Sequence, residues 1–266
     1  MNGTPPRMPV LFVGHGSPMN ALQDNEFSRG WKEIARQIPR PTAILCISAH
    51  WETLGSLVTS VDPPPTLHDF NGFPLELYQV RYPAPGSPWL MRRVMDAAPK
   101  FAIGIDREWG LDHGCWSILR RMYPSADVPV VQLSLDRGMP TRLHYELGRA
   151  LEPLRDEGVL IVASGNLVHN LARISLPPRG DLATPYALPW ASEANERIKS
   201  LIDAGDHEDL IGYRSLGSAV QMAVPTPEHY LPLLYVLGLR GKGESVSYFN
   251  DEVVTGSVTM TSVLVQ

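Results

Sequence analysis

Three unbroken apolar runs of strand length constrain this chain most: Val10-Leu11-Phe12-Val13, Ala43-Ile44-Leu45-Cys46-Ile47 and Val159-Leu160-Ile161-Val162-Ala163. A strand with one wet face alternates apolar and polar residues. A run with no polar interruption is buried on both faces, and that requires helices on both sides of its sheet. Shorter strands are predicted at Leu57–Ser60, Phe101–Ile105 and Pro129–Leu135. Helical periodicity falls between the strands, over Phe27–Gln37, Trp89–Ala98, Cys115–Tyr123, Pro140–Glu157, Trp190–Ala204 and Glu228–Leu237. Two alternating segments at the end, Ser245–Phe249 and Ser257–Val265, predict an antiparallel hairpin, so the sheet is mixed but mostly parallel. No repeat, low-complexity tract or linker divides residues 1–266, and one α/β domain is the expectation.

Composition closes off other classes. The chain is 44% hydrophobic and 19% charged, enough for a full core. A net charge of -5 with scattered basic residues gives nucleic acid no electrostatic footprint. No apolar stretch reaches the length of a membrane span, and the N-terminal stretch to Pro9 has no apolar signal segment. The two cysteines, Cys46 and Cys115, make no disulfide framework. A soluble cytoplasmic protein is therefore expected.

Chemistry concentrates at the histidines. His15 directly follows the first apolar run and His50 the second; His169 lies just beyond the run ending at Ala163, and His229 opens a helix. Open α/β sheets bind ligands beyond the carboxyl ends of their strands, so these side chains are expected to converge there. Imidazole suits zinc, ferrous iron and copper. A single histidine beside a strand is more often a hydrogen-bonded core or surface residue; several at equivalent strand ends favour a metal site. His144, inside a helical pattern, and His207, in the polar stretch Gly205–Glu208, are expected at the surface. Val61–Pro88 has seven prolines and little helix or strand character, the signature of a functional loop or lid. Trp51, Phe73 and Tyr82 are the candidate apolar walls for a substrate. No basic residue can be assigned to a substrate carboxylate; Arg81 is suggested only by its place in that loop.

Gly14-His15-Gly16-Ser17-Pro18, Ser48-Ala49-His50-Trp51 and His68-Asp69-Phe70-Asn71-Gly72-Phe73-Pro74 resemble the class III extradiol ring-cleavage dioxygenases, more closely their 4,5-DOPA dioxygenase branch. Tyr82–Gly86, Gly110–Gly114, Ser164–Asn170 and Thr226–His229 extend the resemblance in order along nearly the whole chain. It implies a three-layer α/β/α fold and an oxidoreductase that inserts both atoms of O2 into a catechol, beside its hydroxyls, to give an open semialdehyde. It also implies a metal held by His15, His50 and His229, with His169 as acid/base and as a fourth ligand of the resting site, and with His113 touching substrate or oxygen. Related class III enzymes supply a glutamate as third ligand, whereas His229 stands here with Glu228 beside it. Fe(II) is the expected metal for activity. Zn(II), which binds most nitrogen sites more tightly, is expected to occupy the site as purified. A zinc hydrolase using the same histidines, or a non-catalytic metal-binding protein of this fold, are the rival readings.

Overall fold

A computed structural model of the chain describes residues 6–266. Residues 1–5, the start of the stretch read as lacking a signal segment, lie outside them. The strands are β1 (Val10–Gly14), β2 (Ala43–Thr53), β3 (Leu57–Thr59), β4 (Gly104–Asp106), β5 (Val130–Asp136), β6 (Val159–Gly165), β7 (Val246–Phe249), β8 (Val253–Val254), β9 (Val258–Thr259) and β10 (Ser262–Val265). The helices are α1 (Glu26–Gln37), α2 (Leu75–Tyr78), α3 (Pro88–Ala97), α4 (His113–Met122), α5 (Thr141–Ala150), α6 (Pro189–Ala204), α7 (His207–Ile211), α8 (Ser218–Ala223) and α9 (Leu231–Leu239).

Eight strands form one mixed sheet in the order β4-β3-β5-β2-β6-β1-β10-β7, and β8 pairs with β9 in a separate hairpin. The middle four, β5-β2-β6-β1, are parallel. Along β1, Val10 and Phe12 enter one core while Leu11 and Val13 enter the other. Residues in β2 and β6 divide the same way, as the period of two in a strand requires. The Val10 face packs under α3, α5, α6, α8 and α9; the Leu11 face packs under α1 and α4. This is the layered α/β arrangement expected. Every residue of α9 is buried, which explains why its sequence is apolar all round. No described helix is long and apolar enough to cross a membrane.

Three boundaries differ from the sequence reading. The helix predicted over Pro140–Glu157 stops at Ala150 and continues as a 3₁₀ turn over Glu152–Glu157, because Pro153 has no N–H to extend the α ladder. The segment predicted over Ser257–Val265 divides into β9, paired with β8, and β10, which runs antiparallel to both β7 and β1. And β2 does not end with its apolar run at Ile47. Its register with β5 jumps from Ile47↔Leu133 to Glu52↔Leu135, so Ser48–Trp51 face the single residue Ser134. The surplus residues bulge out at the carboxyl edge of the sheet, where such irregularities re-aim side chains.

His144 is fully buried rather than on the surface. With Leu147 and Gly148 it forms the α5 face that meets α9, where a Cβ on Gly148 would stand 2.5 Å from the Tyr235 carbonyl oxygen. Its Nδ1 bonds the Tyr235 hydroxyl at 3.0 Å, and burial pushes the imidazole down from 6.5 to about 4. His207 is half-buried, its Nδ1 3.0 Å from the Tyr145 hydroxyl. The depressed value of His144 has a pH consequence. As pH falls below 6.5 the unfolded chain takes up a proton that the folded chain refuses until about 4, so stability falls through that window. Its full size is about 3 kcal/mol. Denaturant unfolding of wild type and His144→Gln at pH 7 and pH 4.5 should give a smaller stability loss in the variant; equal losses would show that His144 carries none of it.

Candidate metal centre

The register of the parallel strands sets the site. Ser164 of β6 lies between Val13 of β1 and Ser48 of β2, so the chain leaving β1 and the bulge in β2 flank it. His15, immediately after β1, bonds Ser164 Oγ through Nδ1 at 2.9 Å. His50, carried by the bulge, brings its Nε2 to 3.0 Å from His15 Nε2. His229 arrives from the turn before α9. That turn touches the end of β6 backbone to backbone: Asn166 N–H donates to His229 O at 2.9 Å, and a Cβ on Gly165 would stand 2.2 Å from that oxygen. Only glycine fits there. One nitrogen from each of His15, His50 and His229 lies within 4.8 Å of the others.

The outer nitrogens have partners that leave the inner ones open. His229 Nδ1 donates to Glu228 Oε1 at 3.1 Å, and His50 Nδ1 lies 3.6 Å from Asp69 Oδ2. A carboxylate only accepts, so the His229 proton sits on Nδ1 and the Nε2 lone pair is free. That Nε2 is buried with no hydrogen-bond partner among the described residues. Burial, then the neighbouring imidazoles, holds His15 and His229 well below the ordinary histidine range; the same terms prevail at His50 over the attraction of Asp69. Neutral imidazoles with inward lone pairs are the donor set a divalent metal requires. The residues fit a metal.

His169 and His113 stand beside this group. The His169 ring stacks on His229, centroids 3.4 Å apart and planes 9° from parallel, and it groups with Glu228 and His229 rather than with His15 and His50. The two groups share His229. The position of His169 is fixed by backbone: its N–H donates to Ala223 O at 2.9 Å, and Asn170 N–H to Ser257 O at 3.1 Å. Burial pushes His169 down to about 4, with the charge of Glu228 opposing. His113, the first residue of α4, gives both its backbone N–H and its Nδ1 to the two oxygens of Asp69 at 2.8 Å. Burial pushes Asp69 up, but the hydrogen bond and charge of His113 outweigh it and leave the carboxyl below its usual value.

Beneath His50, Ser48 Oγ donates to Asp112 Oδ1 and Gln132 Nε2 to Asp112 Oδ2, both at 2.7 Å. Asp112 also caps α4 by accepting from Cys115 N–H at 3.1 Å. This network ties the helix to the bulge, and Gly114 allows the close approach. A Cβ there would stand 2.5 Å from Ser48 Oγ, 3.0 Å from His50 Cδ2 and 3.1 Å from Ser164 Oγ. Gly114→Ala is expected to weaken metal affinity about 10–100-fold, the usual cost of disturbing groups behind the ligands. The crowding should cost about 1–3 kcal/mol of stability. Unaltered metal titration in a folded variant would show that the contact does not position His50.

A cavity of about 490 Å³ opens over the histidines, walled by Phe70, Phe73, Val254 and Val258 and rimmed by Leu171, Ile174 and Leu182. Of the three aromatic candidates only Phe73 reaches it. Trp51 is buried in a stack on Trp109, centroids 5.5 Å apart, and the Tyr82 hydroxyl donates to Tyr123 O at 3.1 Å. Neither lines the cavity: Trp51 packs against Trp109, and Tyr82 ties the Val61–Pro88 loop to the end of α4. Arg81 is turned away, bonding Tyr78 O and Val80 O. Sequence reasoning assigned no site role to Asp69, Phe70 or Ser164. Asp69 offered a signal, a carboxylate in a proline-rich loop; Ser164, inside an apolar strand end, offered almost none.

Comparison with known proteins settles the family. The profile described as the catalytic LigB subunit of aromatic ring-opening dioxygenase matches residues 8–262. The chain belongs to this family. It is 47% identical over 261 residues to a 4,5-DOPA dioxygenase extradiol of Escherichia coli (strain K12), covering 97% of this chain and 94% of that one. A 4,5-DOPA dioxygenase extradiol of Beta vulgaris is 39% identical over 248 residues, with 91% and 90% covered. The crystal structure of an uncharacterized protein from Escherichia coli K12 superposes with a TM-score of 0.84 at 41% identity, covering 98% of this chain and all of that one. This LigB-family chain is accordingly an extradiol dioxygenase, an oxidoreductase that opens aromatic rings.

Proposed function

We propose that the cavity takes a catechol and O2, with Fe(II) held by His15, His50 and His229, and that residues 1–266 act as one catalytic domain. The observation that carries this reading is the convergence of three neutral imidazoles, one with an unpartnered buried nitrogen, at the floor of a cavity with apolar walls. The volume suits a small aromatic ring. DOPA, named for the relatives, is the first member of the class to test.

A bound ferrous ion would supply a Lewis acid for the catechol oxygens and an electron path to O2. The chain's own groups do the rest. His169, neutral at pH 7, is placed to accept a phenolic proton and to return it later. Its stack on His229 keeps it beside the ligand set without occupying it. His113 is held through Nδ1 by Asp69, which leaves Nε2 free to hydrogen-bond the substrate. Phe70 and Phe73 flank the ring and exclude water. Zinc is expected in protein purified aerobically, since it outcompetes ferrous iron at nitrogen sites. The cytoplasm, with reduced thiols and available Fe(II), is the compartment assigned; Cys46 and Cys115 are free and buried.

Oxygen uptake after anaerobic reloading with Fe(II) tests the reading, with catechol and DOPA as substrates and a zinc-loaded control. Uptake that needs both Fe(II) and a catechol, with a yellow semialdehyde product, is expected. A fully metallated protein that consumes no oxygen would refute ring cleavage and turn attention to hydrolysis by a zinc-bound water.

A further inference from the structure

We propose that a second cavity, set between the carboxyl ends of α1 and α4, binds the diphosphate group of a small anion. His113 opens α4 and Arg121 lies in its last turn, so the length of that helix separates this cavity from the histidines.

Basic residues scattered along the chain are gathered here by the fold. Lys32 and Arg36 stand one turn apart on α1 and Arg40 lies just beyond it. With Arg121 they line a cavity of about 530 Å³ whose lining holds no acidic residue. The chain's net charge is -5, but a ligand responds to the local field, and four cations around one hollow attract anions. Among the described residues Arg40 pairs with Asp127 at 2.7 Å and Arg36 with Glu33 at 3.5 Å, while Lys32 and Arg121 have no ion pair. Arg121 is half-buried and held by backbone: its Nε donates to Asn20 O at 2.9 Å and its Nη2 to Gln23 O at 2.7 Å. Burial, then the charge of Arg120, brings its pKa below the ordinary arginine value, the mark of a cation short of a counter-ion.

Cations at a helix carboxyl end also complement the helix dipole, which accounts for Arg36 and Arg121 one at a time. It does not account for Tyr123. That residue lines the same cavity and is 7% exposed, and its hydroxyl is buried with no hydrogen-bond partner among the described residues. Burial pushes the hydroxyl up to about 12 while the charge of Arg40 opposes, so the group keeps its proton and stands near a cation. Buried hydroxyls are normally paired. An oxyanion drawn in among the four cations would accept from this one. Arginine forks match phosphate oxygens two at a time. Four positive charges exceed what one phosphate carries, and two linked phosphates come closer to balance.

Calorimetric titration of the zinc-loaded protein at physiological salt, without magnesium, tests this with phosphate, pyrophosphate and ADP. Zinc content is measured afterwards, so that chelation by the phosphates is seen. Pyrophosphate and ADP are expected to bind about tenfold or more tightly than phosphate, through added charge-assisted hydrogen bonds. Equal affinity for the two would place recognition in the phosphates alone, and tighter ADP would mark a nucleoside-borne ligand. The double variant Lys32→Gln, Arg36→Gln should weaken both about tenfold or more. Arg29→Gln, at an exposed arginine of α1 outside the cavity, should leave them unchanged. Tyr123→Phe should weaken binding about threefold or more without loss of thermal stability, since it removes only an unpartnered hydroxyl. Affinities that do not distinguish pyrophosphate from phosphate, that survive the double variant, or that Tyr123→Phe leaves unmoved would overturn the proposal. So would a single-stranded oligonucleotide that binds more tightly than ADP with an affinity growing with its length, which would make this face a nucleic-acid surface.

Discussion

Replacing His229 by alanine is expected to abolish tight metal binding while leaving the fold in place. The backbone of that turn is held without the side chain, by Asn166 N–H on His229 O at 2.9 Å and by the buried α9 that follows. What disappears is the one nitrogen of the three that is buried and unpartnered. Changes behind a ligand already cost about 10–100-fold in affinity, so loss of the ligand itself should exceed about 100-fold. Metal content after dialysis against graded chelator, read by elemental analysis, gives the answer directly. Stability provides a second readout. In wild type, metal binds only the folded chain and should raise the melting temperature as its concentration rises. That shift should vanish in His229→Ala. The metal-free variant should lose little stability, because a buried nitrogen without a hydrogen bond is itself a cost. Retention of stoichiometric metal with wild-type affinity would sink the ligand assignment.

The same contrast between function and packing explains what the sequence made legible. Val10–Val13, Ala43–Ile47 and Val159–Ala163 declare buried strands because every position faces one of two cores, and that pattern is local. His15, His50 and His169 were readable as a group because strand ends share an edge of the sheet. The bulge that aims His50 was not readable: Ser48–Trp51 face Ser134 only through the pairing of β2 with β5, residues far apart in the chain. His144 was misplaced at the surface for a related reason. Its side of α5 is buried by the close crossing with α9, and a polar residue at a helix contact gives no local sign of that. The cavity walls come from four separate stretches, around Phe70, Ile174, Leu182 and Val254, and only the finished fold brings them together. Trp51 and Tyr82 show the converse: aromatic residues near the site in sequence can serve packing away from it.

His169→Ala should separate chemistry from metal binding, the opposite outcome to His229→Ala. His169 is outside the group of three nitrogens, so Fe(II) and Zn(II) should load to full stoichiometry with modestly altered affinity. Turnover of catechol, by oxygen uptake, should fall about 10²–10⁴-fold, the range lost with a positioned acid or base. Loss of packing alone predicts something else. The ring stacks on His229 at 3.4 Å, and a cavity left there would disturb the ligand and weaken the metal. His169→Gln tells the two apart, since it fills much of the space and cannot carry the proton. A proton-transfer role predicts that alanine and glutamine variants are slowed alike with metal intact. A packing role predicts that glutamine restores both metal affinity and rate. The pH profile adds a third mark. Burial holds His169 down to about 4, so wild-type kcat/KM should stay level above that value and fall as pH drops through it, and this acid limb should be absent from both variants. A glutamine variant with wild-type turnover would remove His169 from the reaction and leave His113, held by Asp69, as the remaining histidine placed to move the proton.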